Sequence, residues 1–284
     1  NGTYCLTVYD DLGCEFTDCF GVDFVTRGDI EEFNCTPTSK ECTITKLKED
    51  VGMGHCEDEV AGSSQDLSGD KTTMAVGSSL YSSGCSDDPA NRDDQELYHN
   101  GRVRIFRVNA GGYWTQLGKD LLGVQGHENF GRDVSLSENG NTVAIGAHNF
   151  NYNAGHLGRV VVYDYSATID DWIPRPQIIG TQPDENFGYF VSLSGDGLRV
   201  AAGARDHEVS TSLVPDAGTV RVYDYASSAW TQKGADIDCP QVFPQYNVSR
   251  SVALSKDGTT LVIGAPSINA ATGGITRVYR FSSS

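Results

Sequence analysis

Cysteine is the residue type that offers this chain its most specific chemistry. Eight cysteines occur among 284 residues, and none forms a close C-x-x-C pair. Structural zinc sites usually use such pairs, so the spacing favours disulfides over metal. We expect the first six to pair mostly among themselves and the last two to form longer links. The eight are Cys5, Cys14, Cys19, Cys35, Cys42, Cys56, Cys85 and Cys239.

Three N-x-S/T sequons accompany the cysteines, at Asn1, Asn34 and Asn247. Such sequons are acceptors for N-linked glycans. Together with an even cysteine count they predict an oxidising, secretory compartment, and therefore a secreted or cell-surface protein. The chain opens at Asn1 without an initiator Met, and we expect a mature form or a fragment of something longer.

Acidic side chains crowd one long loop between Gly77 and Gly101. Carboxylates at close spacing can hold a cation, but charge runs in loops more often face water. Long loops also carry binding surfaces in many folds. The sequence therefore predicts a candidate interaction loop with a cation site as the less favoured alternative. Its acidic residues are Asp87, Asp88, Asp93, Asp94 and Glu96.

Three histidines occupy shorter, corresponding loops further along the chain: His148, His156 and His207. Their spacing matches no known ligand pattern, so we predict ordinary exposed histidines rather than a metal centre. No GxSxG, HExxH, P-loop or GxGxxG string occurs, and no acid–base pair can be assigned among the scattered aspartates. The sequence predicts no enzyme, no catalytic residue and no cofactor.

The elements that must carry these residues recur along the chain. Four segments align without gaps, starting at Leu67, Leu136, Leu193 and Leu254, with spacings of 69, 57 and 61 residues. Each is followed by a strand-like block in which a glycine precedes an aromatic by five residues. A repeat of about 60 residues made of short strands is typical of a β-propeller blade.

The segment 130–165, FGRDVSLSENGNTVAIGAHNFNYNAGHLGRVVVYDY, illustrates the unit. Asn139-Gly140 predicts a tight hairpin turn with two positive-φ residues between the first two strands. Val143 and Ile145 alternate with small residues, as expected of a sheet that stacks closely on another. Both faces of the next block carry apolar residues, and a Trp-led segment such as that at Trp172 predicts a fourth strand.

The run Phe130-Gly131, VSLS and AIGA resembles the FG-GAP repeat of integrin-α-type β-propellers, and Phe187-Gly188 repeats it. The resemblance covers roughly 61–284, although Ala61-Gly62 and Val248-Ser249 replace Phe-Gly in the outer repeats. The segment 230–238, WTQKGADID, resembles a variant of these repeats common in secreted proteins of algae, protists and bacteria, which implies a secreted protein. Blades of that family often bind calcium through DxDxDG in the first hairpin. Here that hairpin holds too few carboxylates, so we do not transfer calcium binding.

The resulting prediction is an all-β chain with four four-stranded blades, the last one incomplete. The blades span about 61–123, 124–180, 181–238 and 239–284. Residues 1–60 contain six cysteines and no repeat, and predict a small Cys-rich β module or, alternatively, a degenerate blade. The last blade lacks its Trp strand, which a strand near Tyr4–Tyr9 or a neighbouring subunit could supply.

A formal net charge of −17 disfavours binding to nucleic acid or to an anionic membrane surface. No apolar run approaches the ~18 residues of a membrane span. We therefore expect an extracellular, non-enzymatic structural protein, a subunit of a surface filament or matrix that assembles through propeller edges and loops. The alternative is an integrin-like adhesion module that recognises protein or glycan through its loops. The sequence does not identify the ligand, the disulfide connectivity or the blade number.

Overall fold

The computed structural model describes residues 59–83, 98–151, 155–208, 218–238, 251–265 and 275–281, together with the backbone of four N-terminal strands. The chain divides into two compact units, Asn1–Val51 and Gly52–Ser284.

The first unit contains two antiparallel strand pairs. Strand β1 (Thr3–Tyr9) pairs with β2 (Glu15–Gly21), and β3 (Asn34–Cys35) pairs with β4 (Cys42–Thr43). The predicted strand near Tyr4–Tyr9 thus lies in a hairpin of this unit. The backbone register sets Cys5 opposite Cys19 and Cys35 opposite Cys42. Opposite positions of an antiparallel pair have the Cα separation that a disulfide requires.

The second unit is a β-propeller built from four antiparallel sheets, three of which have four consecutive strands. The predicted all-β repeat fold is confirmed. Blade one comprises β5 (Ser64–Leu67), β6 (Thr73–Ser78), β7 (Arg102–Val108) and β8 (Trp114–Gln116), with the short β9 (Leu121–Leu122) also pairing with β7.

Blades two and three repeat this arrangement, including the additional two-residue strand. Blade two comprises β10 (Asp133–Leu136), β11 (Thr142–Ala147), β12 (Arg159–Ser166), β13 (Asp171–Pro174) and β14 (Ile178–Ile179). Blade three comprises β15 (Phe187–Leu193), β16 (Arg199–Ala204), β17 (Thr219–Ala226), β18 (Ala229–Gln232) and β19 (Ile237–Asp238). Blade four comprises β20 (Ser251–Leu254), β21 (Thr260–Ala265) and β22 (Ile275–Arg280).

The hairpin between the first two strands differs from the predicted two-residue turn. Gly140 has φ 63°, but Asn139 is absent from the positive-φ residues of the described chain. The Asn139 side chain instead accepts hydrogen bonds from the Asn141 amide (3.0 Å) and the Ser137 hydroxyl (2.9 Å). These bonds favour a negative φ at residue 139, so one left-handed residue, Gly140, completes the loop. The prediction of two positive-φ positions was wrong for this reason.

Stacking between successive blades forms the core, as the alternation of large and small residues predicted. Val143 and Ile145 of blade two pack against Val103 and Ile105 of blade one, and all four are at most 1% exposed. Ala144, on the other face of the same strand, belongs to the cluster shared with blade three. A third cluster joins blades three and four. The sheets of blades two and three are therefore covered on both faces, which explains why apolar residues occur on both.

The Phe-Gly dipeptide lies where one blade docks on the preceding one. Phe130 is fully buried, and its amide donates to the Asn100 carbonyl (3.0 Å), beside Gly101. Gly101 has φ 85°, and a Cβ at this position would lie 2.1 Å from the Phe130 carbonyl oxygen. The pair Gly158 and Phe187 repeats this contact. The repeated glycine is thus required both by backbone conformation and by the close approach of the next blade.

Candidate functional site

In the part of the chain that the structure describes, the last blade leaves one strand edge unpaired. In blades one to three the third strand pairs with a second strand on one side and with further strands on the other. In the described part of blade four, the third strand β22 pairs with β21 alone. An edge strand exposes unpaired N–H and C=O groups that can pair with another chain. The predicted missing fourth strand is confirmed for the residues that the structure describes.

The same blade exposes side chains at positions that the preceding blades bury. Val162 of β12 and Val222 of β17 are 0% and 2% exposed. Val278, which pairs with Val262 as Val162 pairs with Ala144, is 67% exposed. Neighbouring Thr276 is also exposed. We name the outward side chains of Val262, Thr276 and Val278 the trailing face.

The opposite end of the repeat array has a partly uncovered face as well. Leu67 of β5 is 48% exposed, whereas the corresponding Leu136 and Leu193 are 7% and 5% exposed. In blades two and three those leucines pack against the preceding blade. We name Leu67 and its neighbour Met74 the leading face. In the described residues, apolar clusters join blades one to two, two to three and three to four, and none joins blade four to blade one.

Most of the site residues predicted from sequence fall outside the described residues. These include the acidic loop (Asp87, Asp88, Asp93, Asp94 and Glu96), two sequon asparagines (Asn1 and Asn247) and the cysteines other than the four strand positions above. Asn34 lies in β3. The loop, glycan and disulfide hypotheses therefore stay predictions.

The histidines differ from one another, and the expectation of three exposed residues was wrong for His207 and for His148, which is partly buried. His207 is 5% exposed, and its Nδ1 lies 2.6 Å from Glu185 Oε2. His148 stacks edge-on against Tyr189, and burial, with nearby arginines, lowers its pKa to about 3. His156 is the partly exposed one, with Nδ1 2.9 Å from an Asp184 oxygen. The three do not converge on one centre; instead His207 lies close to Asp236 and Asp238.

Sequence reasoning missed a buried ion pair that recurs in the first three blades. A glutamate two residues before the Phe-Gly position has a fully buried side chain in each blade and pairs with an arginine of the third strand. The pairs are Glu59 with Arg102, Glu128 with Arg159, and Glu185 with Arg221. The signal was present, because E-N-F-G occurs twice at the same repeat position. These pairs brace the inter-blade loop against the sheet.

The aspartates of the first hairpins are engaged as hydrogen-bond acceptors within their own turns. Asp257 Oδ1 accepts from the Ser255 hydroxyl (2.6 Å), the Thr259 amide (2.9 Å) and the Thr259 hydroxyl (2.9 Å). These bonds, the Ser255 one foremost, lower its pKa to about 2. Asp70 and Asp196 make the same serine contact. The aspartates of these hairpins therefore serve their own turns.

A cationic and aromatic patch lies where strands of blades two and three end. The Tyr189 ring lies between the guanidinium groups of Arg132 (4.3 Å) and Arg205 (4.6 Å), and Arg132 also donates to the Tyr189 hydroxyl (2.7 Å). Arg205 is neutralised by a bidentate contact with Asp206. All three side chains are half-buried. Such a patch can stack on a ring and pair with an anion.

No helix in the described part of the chain is long and apolar enough to cross a membrane. No protein-family model and no curated protein sequence matches the chain. Among solved structures it is similar to the β-propeller domain of the Trilobed protease from Pyrococcus furiosus. The identity is 9% and the TM-score 0.39, and the match covers 76% of this chain and 54% of that one.

Proposed function

We propose that this protein is an extracellular, non-enzymatic assembly subunit whose copies associate head to tail. The observation that carries the proposal is Val278, 67% exposed on the uncovered trailing face at a position where the corresponding Val162 is fully buried. An apolar sheet face next to an unpaired strand edge favours association with another sheet.

A second copy of this chain is the occupant that the repeat geometry favours. The trailing face of blade four corresponds to the faces that blades one to three present to the next blade. The leading face of blade one corresponds to the faces that blades two to four present to the previous one. Joining the two would repeat a packing already used three times within the chain. Because the faces differ, the contact is heterologous and propagates into a filament unless it closes into a ring.

The first test measures association of the unreduced protein by light scattering as a function of concentration. We expect the mass to rise in multiples of the chain mass. Val278→Asp should weaken association at least about tenfold, since it places a charge in an apolar contact. Val124→Asp is the matched control, because Val124 is 64% exposed and lies outside both faces. A chain that stays monomeric at its highest soluble concentration would overturn the proposal.

Mixing two variants then tests the head-to-tail arrangement. Leu67→Asp blocks the leading face and Val278→Asp blocks the trailing face, so each variant keeps one intact face. We expect neither variant to associate alone and the mixture to stop at dimers. Dimers formed by Leu67→Asp alone would instead indicate a symmetric contact between two trailing faces.

A second candidate function is an adhesion module that binds an anionic glycan through the Arg132–Tyr189–Arg205 patch. The observation that favours it is the arginine–tyrosine stack on a chain of net charge −17. A glycan array should then show retention of sulfated or carboxylated glycans that is lost in Arg132→Gln. Retention should persist in Lys119→Gln, whose side chain is 85% exposed elsewhere. Equal binding of neutral glycans would contradict this function.

We also propose that the repeats are of the FG-GAP class and that the protein resides outside the cell. The class rests on Phe130-Gly131 and Phe187-Gly188, which dock successive blades as described above. The compartment rests on eight cysteines and three sequons. Mass spectrometry of natively secreted material, before and after glycosidase treatment, tests the compartment. Free thiols throughout and unmodified sequons would contradict it.

A further inference from the structure

We propose that blade three contains a site for one divalent transition-metal ion, of the zinc class, with His207, Asp236 and Asp238 as ligands. One ligand atom from each residue lies within 4.8 Å of the others. The ligand atoms of a tetrahedral zinc ion lie about 3.4 Å apart, given bonds of about 2.0–2.1 Å. Side-chain rotations that move these atoms by about an ångström would therefore close the shell. The site is independent of the proposed assembly faces.

The imidazole is oriented as in many metal centres. His207 Nδ1 lies 2.6 Å from Glu185 Oε2, and the Glu185 side chain is fully buried. Glu185 Oε2 also accepts a hydrogen bond from Arg221 Nη2 (3.0 Å), so this carboxylate is placed to accept the Nδ1 proton of His207. With the proton on Nδ1, Nε2 keeps its lone pair. A carboxylate that holds the second ring nitrogen is the usual outer partner of a metal-bound histidine.

Two buried oxygen atoms, one in the cluster and one beside it, lack a hydrogen-bond partner. They are Asp238 Oδ1 and Thr219 Oγ1, and Thr219 is 0% exposed. Thr219 and Asp238 are directly opposite in the β17–β19 pair, so their side chains leave the sheet on the same face. Buried polar atoms are rarely left unsatisfied, and an ion with its bound water would satisfy both.

The local charge also favours a cation. Three carboxylates, those of Glu185, Asp236 and Asp238, lie close to His207. The guanidinium of Arg221 contacts Glu185 (3.0 Å) and Asp236 (2.9 Å). With neutral His207 the group carries two uncompensated negative charges, which one divalent ion would balance. Arg277 of β22 lines the same small cavity as Asp238, although no ion pair joins them among the described contacts.

The other blades place aromatic or aliphatic side chains at two of the three ligand positions. Three residues after the second strand, where blade three has His207, blades one and two have Tyr81 and Phe150, whose rings lie 4.2 and 4.4 Å from an arginine. Where blade three has Asp238, blade two has Ile179. The chain therefore supplies its own substitutions for a metal-free version of the site.

One imidazole nitrogen with two carboxylate oxygens suits zinc, and suits manganese less well. Calcium prefers six or more oxygen ligands, and the described residues offer too few. The expected centre has three protein ligands and a fourth position for water, as in open zinc sites.

The test uses the full, unreduced chain, so that cysteines do not bind the metal, after removal of metals with a chelator. Calorimetry with zinc chloride should show one ion bound per chain. Cobalt chloride should give the visible absorption of a tetrahedral ion. His207→Phe and Asp238→Ile introduce the residues that blade two has at these positions. Each should weaken zinc binding more than about tenfold, because even the loss of an outer-shell partner costs at least about tenfold in metal affinity. The control is Asp120→Asn, at the position of blade one that corresponds to Asp236, and it should leave the affinity for zinc unchanged.

Thermal unfolding of the metal-free variants is the folding control. If they unfold as cooperatively as the metal-free parent, a loss of zinc binding is not caused by misfolding. Zinc binding that survives both substitutions, or its absence from the parent protein, would overturn the proposal. A parent that binds calcium but not zinc would overturn the metal class. None of these outcomes bears on association of the chain, which is measured separately.

Discussion

Replacing Glu128 by Gln should test whether the buried ion pairs hold the blades together. The Glu128 side chain is fully buried, and its carboxylate receives four donors. Oε1 accepts from Arg159 Nε (3.0 Å) and Nη2, and Oε2 accepts from the amides of Val124 and Gln125 (both 3.0 Å). The two amides belong to the linker that leads into blade two, so one side chain joins that linker to β12.

The expected loss follows from counting these bonds. A glutamine keeps one acceptor oxygen and turns its NH₂ group toward two of the four donors. Two hydrogen bonds to a charged group are then lost, each contributing about 1.5–3 kcal/mol, and the Arg159 charge remains buried. We expect Glu128→Gln to lower the free energy of unfolding by about 3–5 kcal/mol. For a unit of this size that corresponds to a fall in melting temperature of about 10 °C.

Denaturant titration followed by tryptophan fluorescence measures this loss, with calorimetry as a second probe. The control is Glu138→Gln, because Glu138 and Lys256 form an exposed pair whose side chains are 45% and 72% exposed. Such pairs contribute about 0–1 kcal/mol. A loss below about 1 kcal/mol for Glu128→Gln, or equal losses for both variants, would refute the view that the buried pairs brace the fold.

Three further predictions concern pH, packing and disulfides. Burial raises the pKa of Asp133 to about 6 in the folded protein, so the folded state binds this proton more tightly than the unfolded state does. The protonated side chain therefore adds about 3 kcal/mol to the free energy of unfolding at low pH, and this stabilisation should be lost as pH rises from about 4 to about 6. His148, whose pKa is lowered, makes stability rise with pH instead. The measurement is therefore the difference in free energy of unfolding in urea between the parent and Asp133→Asn at each pH. Identical pH profiles for the two proteins would contradict the prediction. Gly146→Ala should destabilise by about 1–3 kcal/mol, because its Cβ would lie 2.0 Å from a carbonyl oxygen of blade three; an unchanged melting temperature would argue against this tight stacking. Non-reducing peptide maps should link the cysteines that lie opposite each other in the two N-terminal hairpins, and a different pairing would count against that register.

The repeat, its strands and its stacking surfaces could be predicted from local sequence. Alternation at Val143 and Ile145 is a short-range pattern, and the glycine five residues before an aromatic marks one strand in every blade. The position of the turn at Asn139 was predicted correctly, but its backbone conformation was not. Its backbone is set by a side-chain oxygen that accepts from residue 141, a competition that dipeptide preferences do not include.

The sequence by itself determined an all-β repeat protein with blades that stack on both faces. It could not determine which blade keeps a face open, because burial of Val162 and exposure of Val278 depend on whether another sheet follows. Nor could it pair Glu185 with His207 and Arg221, which lie 22 and 36 residues away along the chain. Strand periodicity assigns residues to faces, whereas contacts between distant loops arise only when the blades are packed. The tertiary structure therefore decided both the open faces and the charged centre of blade three.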